Sequence, residues 1–203
     1  SYSDIEPWDV TFCHLAEAID QARREVFEAF VSRFVDLESQ FLGQALGIEM
    51  EYVRGWNHEQ CFNNVLQSAF ERDARDGYTH YGPQRAEIKI RAQQKMASDV
   101  LSRGQEKSLI CAMTVTQAQL YKDFMGKDCV FLVDDLLAEL DIHNSQKLAH
   151  WLSQLQGQVF VTGVVKEALE AAWQNELTDI AVFHVKHGNI TKENTQESIQ
   201  EKK

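Results

Sequence analysis

The stretch CVFLVDD, residues 129–135, constrains the fold more than any other part of the chain. Five apolar residues in a row show no alternation. Such a run predicts a strand buried on both faces within a parallel sheet. A strand of that kind delivers its last residues to the carboxyl edge of the sheet, where open α/β folds bind ligands. Two adjacent carboxylates there, Asp134 and Asp135, are costly unless a cation or a proton compensates them. The pair admits two readings. One is a strand that runs out into a polar loop. The other is a site in which Asp134 holds a cation and Asp135 orients or deprotonates a water.

The flanking sequence extends this strand into a layer. Ser102 with Gln105 three residues later fits a capping box and opens a helix that ends near Gly126. Leu109, Ile110, Met113, Leu120 and Tyr121 supply its expected buried face. The first turn, Ser102, Arg103, Gly104 and Gln105, presents N–H groups and the positive end of the helix dipole. That mouth suits an anion as well as an ordinary cap. After the aspartates come a helix over 144–155, a second apolar strand (QVFVTGV), a helix over 166–175 and a last strand over 180–185. Alternating strands and helices imply an α/β layer with parallel pairing.

Upstream of residue 76 the pattern is mainly helical and reads as an arm. Residues 9–46 lack proline and repeat apolar residues at helical spacing, from Phe12, Leu15 and Ile19 through Val26, Phe34 and Leu37 to Phe41. One long helix or two in tandem are expected, ending near Gly43 and Gly47. IEMEYVR alternates like a strand, and Asn57 is the expected N-cap of a helix over 57–75. AEIKIRA reads as a further strand. The divisions are thus 1–76 for the arm, 77–190 for the α/β lobe, and 191–203 for a polar tail expected to be disordered.

Charge and cysteine usage exclude several classes. A formal net charge of -11 disfavours broad nucleic-acid binding by this chain alone. Arg72, Arg75, Arg85, Lys89, Arg91, Lys95 and Arg103 form a basic stretch against that background, read first as ordinary solvated charges. No apolar run approaches the ~18 residues of a membrane span, and SYSDIEPWDV lacks the features of a secretory signal. The four cysteines make no CxxC pair. Cys111 and Cys129 read as buried thiols, and a reducing, cytoplasmic setting is expected. His184 and His187 are read as strand residues on opposite faces, not as a metal pair.

In their order, these motifs resemble a known family. LSRGQEKSLICA looks like the signature motif of ABC-type ATPases, VFLVDD like their Walker B strand, and Glu139-Leu140-Asp141 like the D-loop that follows. The DD ending, the AELD variant and the upstream YGPQRAEI point to the RecF branch, related to SMC heads. The resemblance runs from about Trp8 to Ile190. It implies an α/β fold: the C-terminal lobe of an ABC/SMC-like ATPase head, with a largely parallel sheet flanked by helices, plus a mainly helical arm. It also implies roles. Ser102, Arg103, Gly104 and Gln105 would contact ATP held by the other subunit of a head-to-head homodimer. Asp134 would serve Mg2+, Asp135 would be catalytic, and Glu139 and Asp141 would lie at the dimer interface. Arg85 is a further candidate near the site. The implied partners are DNA, including gap junctions, and the RecR and RecO proteins. The implied task is helping to load recombinase at gaps.

The chain departs from the pattern in two places. It carries no GxxxxGK[ST]; its only Gly-Lys pair, Gly126-Lys127, is followed by Asp128. A chain of this family without that loop is expected to be the C-terminal half of a weak ATPase, inactive alone. The switch region, often a histidine in ABC proteins, falls at Thr162 to Val164, with Val164 at the switch position itself. The alternative reading is a non-enzymatic SMC-like adaptor module.

Overall fold

The computed structural model describes residues 2–42, 46–176 and 179–193. The chain opens with one continuous helix, α1 (Tyr2–Leu42), of 41 residues. It begins upstream of the expected residue 9. Pro7 lies within its second turn, where the missing N–H removes one helical hydrogen bond. The two ends of α1 serve different clusters. Phe34, Leu37 and Phe41 enter the main core, while Ala16 packs with Trp56, Phe62, Val65 and Leu66 in a second one. Trp8, Leu15, Ile19 and Val26 recur at spacings of seven, four and seven, yet all four are exposed. The expected apolar stripe is therefore real in spacing but only partly covered. Gly43 lies outside the described residues.

A three-stranded antiparallel sheet follows. β1 (Ile48–Val53) pairs with β2 (Glu87–Ala92), which turns through Gln93 and Gln94 into β3 (Lys95–Met96). Both turn residues have positive φ, as a two-residue hairpin of this hand requires. Between β1 and β2 lies α2 (Phe62–Asp76), shorter than expected. Asn57 does not cap it. Its side chain accepts from the N–H of Glu59 at 3.0 Å and closes a local turn, and Cys61 is the N-cap. Gly77, at φ 77, ends α2 by donating its N–H to the Asp73 carbonyl.

The chain continues through α3 (Ala97–Val100), α4 (Arg103–Met125), β4 (Val130–Val133), α5 (Leu136–Glu139), α6 (Ile142–Gln154), β5 (Gln158–Val161) and α7 (Lys166–Trp173). β4 and β5 pair in parallel, from Val130 opposite Gln158 to Val133 opposite Val161. A crossover through α5 and α6 joins them, as parallel strands need. The main core lies where α1, α4 and α6 meet β4, around Leu37, Leu109, Ala112, Val115, Phe131 and Leu152. On α4 only part of the expected face is inside: Leu109 and Leu120 are buried, Ile110 and Tyr121 exposed.

The strand over 129–133 is not buried on both faces. Phe131 is buried, but Val130 and Leu132 are 60% and 79% exposed. Among the described residues, α1, α4 and α6 pack against the Phe131 side of this two-stranded sheet, and the alternate residues of the apolar run face outward. The expected last strand is also different. β6 (Phe183–Lys186) and β7 (Asn189–Lys192) form a separate antiparallel hairpin. His187 and Gly188, at φ 50 and 80, make its turn. His187 is thus a turn residue and not a strand partner of His184. Of the tail, residues 194–203 lie outside the described residues.

Candidate functional site

Ser102 stands at the N-cap of α4 in extended conformation and forms the expected capping box. Its hydroxyl accepts from the N–H of Gln105 at 3.3 Å, and the Gln105 side-chain oxygen accepts from the N–H of Ser102 at 2.9 Å. The N–H groups of Arg103 and Gly104, in the first turn, have no intrahelical acceptor by geometry. Ser102, Arg103 and Gly104 are exposed, and a methyl group added at Gly104 would meet nothing within 4 Å. The mouth of α4 is therefore open, with two unused backbone donors and the positive end of a 23-residue helix. A phosphate fits such a place.

Asp134 and Asp135 leave the carboxyl end of β4, and both are exposed. Thr162 leaves the neighbouring end of β5 and joins the two strand ends. Its N–H donates to the Val133 carbonyl at 2.9 Å, and its carbonyl accepts from the N–H of Leu136 at 3.3 Å. Its hydroxyl accepts from the N–H of Asp135 at 2.9 Å and donates to Asp134 Oδ1 at 2.5 Å. Asp135 adopts φ 45, ψ 50, a left-handed conformation uncommon for a residue with a side chain. Asp134 also borders a groove of about 240 Å3 between α4 and β4, lined by Ile110, Thr114, Phe131 and Leu148. The described residues contain no cluster of three His, Cys, Asp or Glu side chains placed to hold a metal. A cation that takes one or two carboxylates and keeps its waters, as Mg2+ does, suits the Asp134–Asp135 pair better than a caged metal would.

The other candidates fall as follows. Asp141 is the N-cap of α6: Oδ1 accepts from the N–H of Asn144 at 2.9 Å and Oδ2 from its side-chain amide at 2.8 Å. The Asn144 N–H holds the Asp141 carboxyl below its ordinary value of 3.8. Glu139 ends α5. Val164 is 93% exposed, three residues beyond β5. Arg85 sits in a 3-10 turn with its guanidinium 5.9 Å from the Tyr78 ring centroid.

Much of the basic stretch has local partners: Arg72 lies over Tyr81, Arg75 bonds Asp76, and Arg91 faces Glu51. Asp20 is a buried acid whose partner Arg24 stands one helical turn away, a spacing legible in sequence, whereas its partner Arg54, beyond β1, leaves no such sign. Asp20 receives Arg24 at 2.7 Å and Arg54 at 3.6 Å, and Arg54 stacks 3.9 Å over Trp56. Cys111 and Cys129 are half-buried, and all four cysteines are free. Burial, with Asp9 beside it, pushes the Cys13 thiol up to about 11.

No family model matches the chain. Individual proteins do. The DNA replication and repair protein RecF of Chromohalobacter salexigens is 39% identical over 186 residues, covering 92% of this chain and 51% of that protein. RecF of Cellvibrio japonicus is 40% identical over 190 residues, covering 93% and 52%. The chain thus spans about half the length of the curated relatives it matches. Among solved structures, the recombination mediator protein RecF-ATP of the RecFOR pathway superposes with a TM-score of 0.65 at 18% identity, over 92% of this chain and 50% of that one. An SMC head bound to the C-winged helix domain of ScpA superposes at 0.50 and 15% identity, over 85% and 44%. The fold is that of RecF and SMC heads.

Proposed function

We propose that this chain, RecF-type in sequence over nine-tenths of its length, is the C-terminal half of an ATP-gated head acting in recombinational DNA repair in the cytoplasm. The remaining half of such a protein supplies the phosphate loop. The observation that carries the reading is the pairing of two features in a RecF-like sequence: an open, serine-capped mouth on α4, and a carboxylate pair at the end of a parallel strand.

The roles follow from the chemistry of each place. The α4 mouth, with Ser102, Arg103, Gly104 and Gln105, receives the triphosphate held by a second subunit. Asp134 holds Mg2+, which when bound supplies charge neutralisation for the phosphates. Asp135 orients or deprotonates water. Glu139 and Asp141 lie at the contact between the two heads, and the region from Thr162 to Val164 responds to the nucleotide. Arg85 lies near this contact. ATP closes a head-to-head homodimer on DNA and hydrolysis releases it. RecO and RecR are the expected partners in loading recombinase at gaps. The open mouth, the paired acids and the relatives named for DNA replication and repair support this assignment.

The test is self-association. The complete protein should dimerise in light scattering when Mg–ATP is added. The present chain alone should show no tight Mg–ATP binding by calorimetry. A complete protein that stays monomeric with saturating ATP refutes the gating role.

A further inference from the structure

We infer that Thr162 is a positioning residue whose hydroxyl fixes the orientation of the Asp134 carboxylate and the turned backbone of Asp135. The inference rests on the proposed cation role of Asp134. It adds a positioning task at Thr162 to the nucleotide response proposed for the region from Thr162 to Val164.

The argument begins with what one hydroxyl can do. It has one proton to donate and lone pairs to accept with. In Thr162 the proton goes to Asp134 Oδ1 at 2.5 Å, and a lone pair takes the N–H of Asp135 at 2.9 Å. A single atom therefore binds the side chain of one aspartate and the backbone of the next. Both backbone groups of Thr162 are also engaged, its N–H with Val133 and its carbonyl with Leu136. The residue is held from four directions, and its β-branch restricts χ1 further. With its proton committed to Asp134, the hydroxyl has none to give a phosphate in this arrangement.

The consequence for the acids is directional. Oδ1 of Asp134 is anchored, which leaves Oδ2 as the oxygen for a cation. Asp135 sits at φ 45, ψ 50, a left-handed conformation that aspartate tolerates better than most residues and that its neighbours hold in place here. The bond from its N–H to Thr162 Oγ1 and the bond from Leu136 N–H to the Thr162 carbonyl are those neighbours. Valine lacks both the donor and the acceptor. Serine keeps both and loses only the methyl group.

The test uses the complete protein with Thr162→Val and Thr162→Ser, read by two independent measurements. Amide hydrogen exchange reports the bond itself. Exchange at Asp135 should accelerate at least about tenfold in Thr162→Val and stay close to wild type in Thr162→Ser. Electron paramagnetic resonance of Mn2+ with ATP reports the carboxylate. Affinity should fall about 10- to 100-fold in Thr162→Val, as for loss of a group that orients a metal ligand, and recover in Thr162→Ser. Unchanged Asp135 exchange in Thr162→Val overturns the inference. So does undiminished Mn2+ binding by that variant when wild type binds Mn2+. If wild type itself binds no Mn2+ in the presence of ATP, the cation role of Asp134 fails, and the inference about its orientation falls with it.

Discussion

Replacing Asp141 separates an architectural duty from the interface duty proposed for it. Its carboxylate accepts two hydrogen bonds from Asn144 and so closes the first turn of α6, the helix that buries Leu148, Ala149 and Leu152 in the lobe. Loss of an N-cap acceptor typically costs about 1 kcal/mol, within a range of about 0.5–2. Asp141 is exposed, so water replaces part of the bond, and Asp141→Ala should fall in the lower half of that range. For a chain of this size, at about 2–4 °C per kcal/mol, the change lowers Tm by about 1–5 °C. Asparagine caps as well as aspartate, so Asp141→Asn should stay within about 0.5 kcal/mol of wild type at pH 7. The pH dependence has a definite sign. The folded carboxyl titrates below its ordinary value of 3.8, chiefly through the Asn144 N–H. Its contribution is complete above that value and disappears as pH falls through the lower, folded value. The wild-type advantage over Asp141→Asn should therefore shrink on acidification. Urea unfolding of the three proteins at pH 7 and at pH 3–4 measures all of this. An Asp141→Ala chain as stable as wild type, or an Asp141→Asn chain as weak as Asp141→Ala, refutes the capping argument. If Asp141→Asn keeps its stability yet the complete protein no longer dimerises with ATP, the interface role stands on its own.

Four further outcomes are expected. Phe41, 2% exposed and stacked on Trp151, holds the end of α1 in the main core. Phe41→Ala should lose about 3–5 kcal/mol in urea unfolding. At Gly55, φ is +93 and an added Cβ would lie 2.2 Å from the Gly82 carbonyl oxygen. Gly55→Ala should lose more than about 1 kcal/mol by thermal unfolding, through strain and through displacement of the 77–86 loop. In the complete protein, Ser102→Arg should abolish ATP-driven dimerisation by filling the α4 mouth, whereas Asp135→Asn should prolong the dimer by slowing hydrolysis. Light scattering with and without ATP distinguishes them.

The parts of this fold that sequence revealed are those set by neighbours close along the chain. Ser102 and Gln105 are three residues apart, and their mutual capping is readable as a pattern. The parallel pairing of β4 and β5 was signalled by two apolar runs separated by a helix. What escaped depended on contacts between distant residues or on what covers a surface. The hydroxyl of Thr162 meets Asp134 across 28 positions, and no spacing rule reports that. Val130 and Leu132 read as buried because apolar runs usually are, yet among the described residues the core packs on Phe131 and leaves both of them exposed. The β6–β7 hairpin has a local sign, His187-Gly188 between two short segments, which is missed when IAVFHVKHGNI is read as one strand. Asn57 is a good cap residue placed before a turn, and the capping of α6 by Asp141 adds a structural duty to the interface role its motif implies.

The single helix α1 has a mechanical consequence. Its 41 residues make a rod about 60 Å long. One end is held in the main core at Phe34, Leu37 and Phe41, and the Ala16 region packs in the second cluster some 30 Å away at ~1.5 Å per residue. Between them the rod is braced as well: Phe27 meets Tyr52 of β1, Asp20 meets Arg54, and Arg23 donates to the Pro83 carbonyl. The helix therefore acts as a spine that holds the two clusters at a fixed separation, with the β1–β2 pair as a second tie.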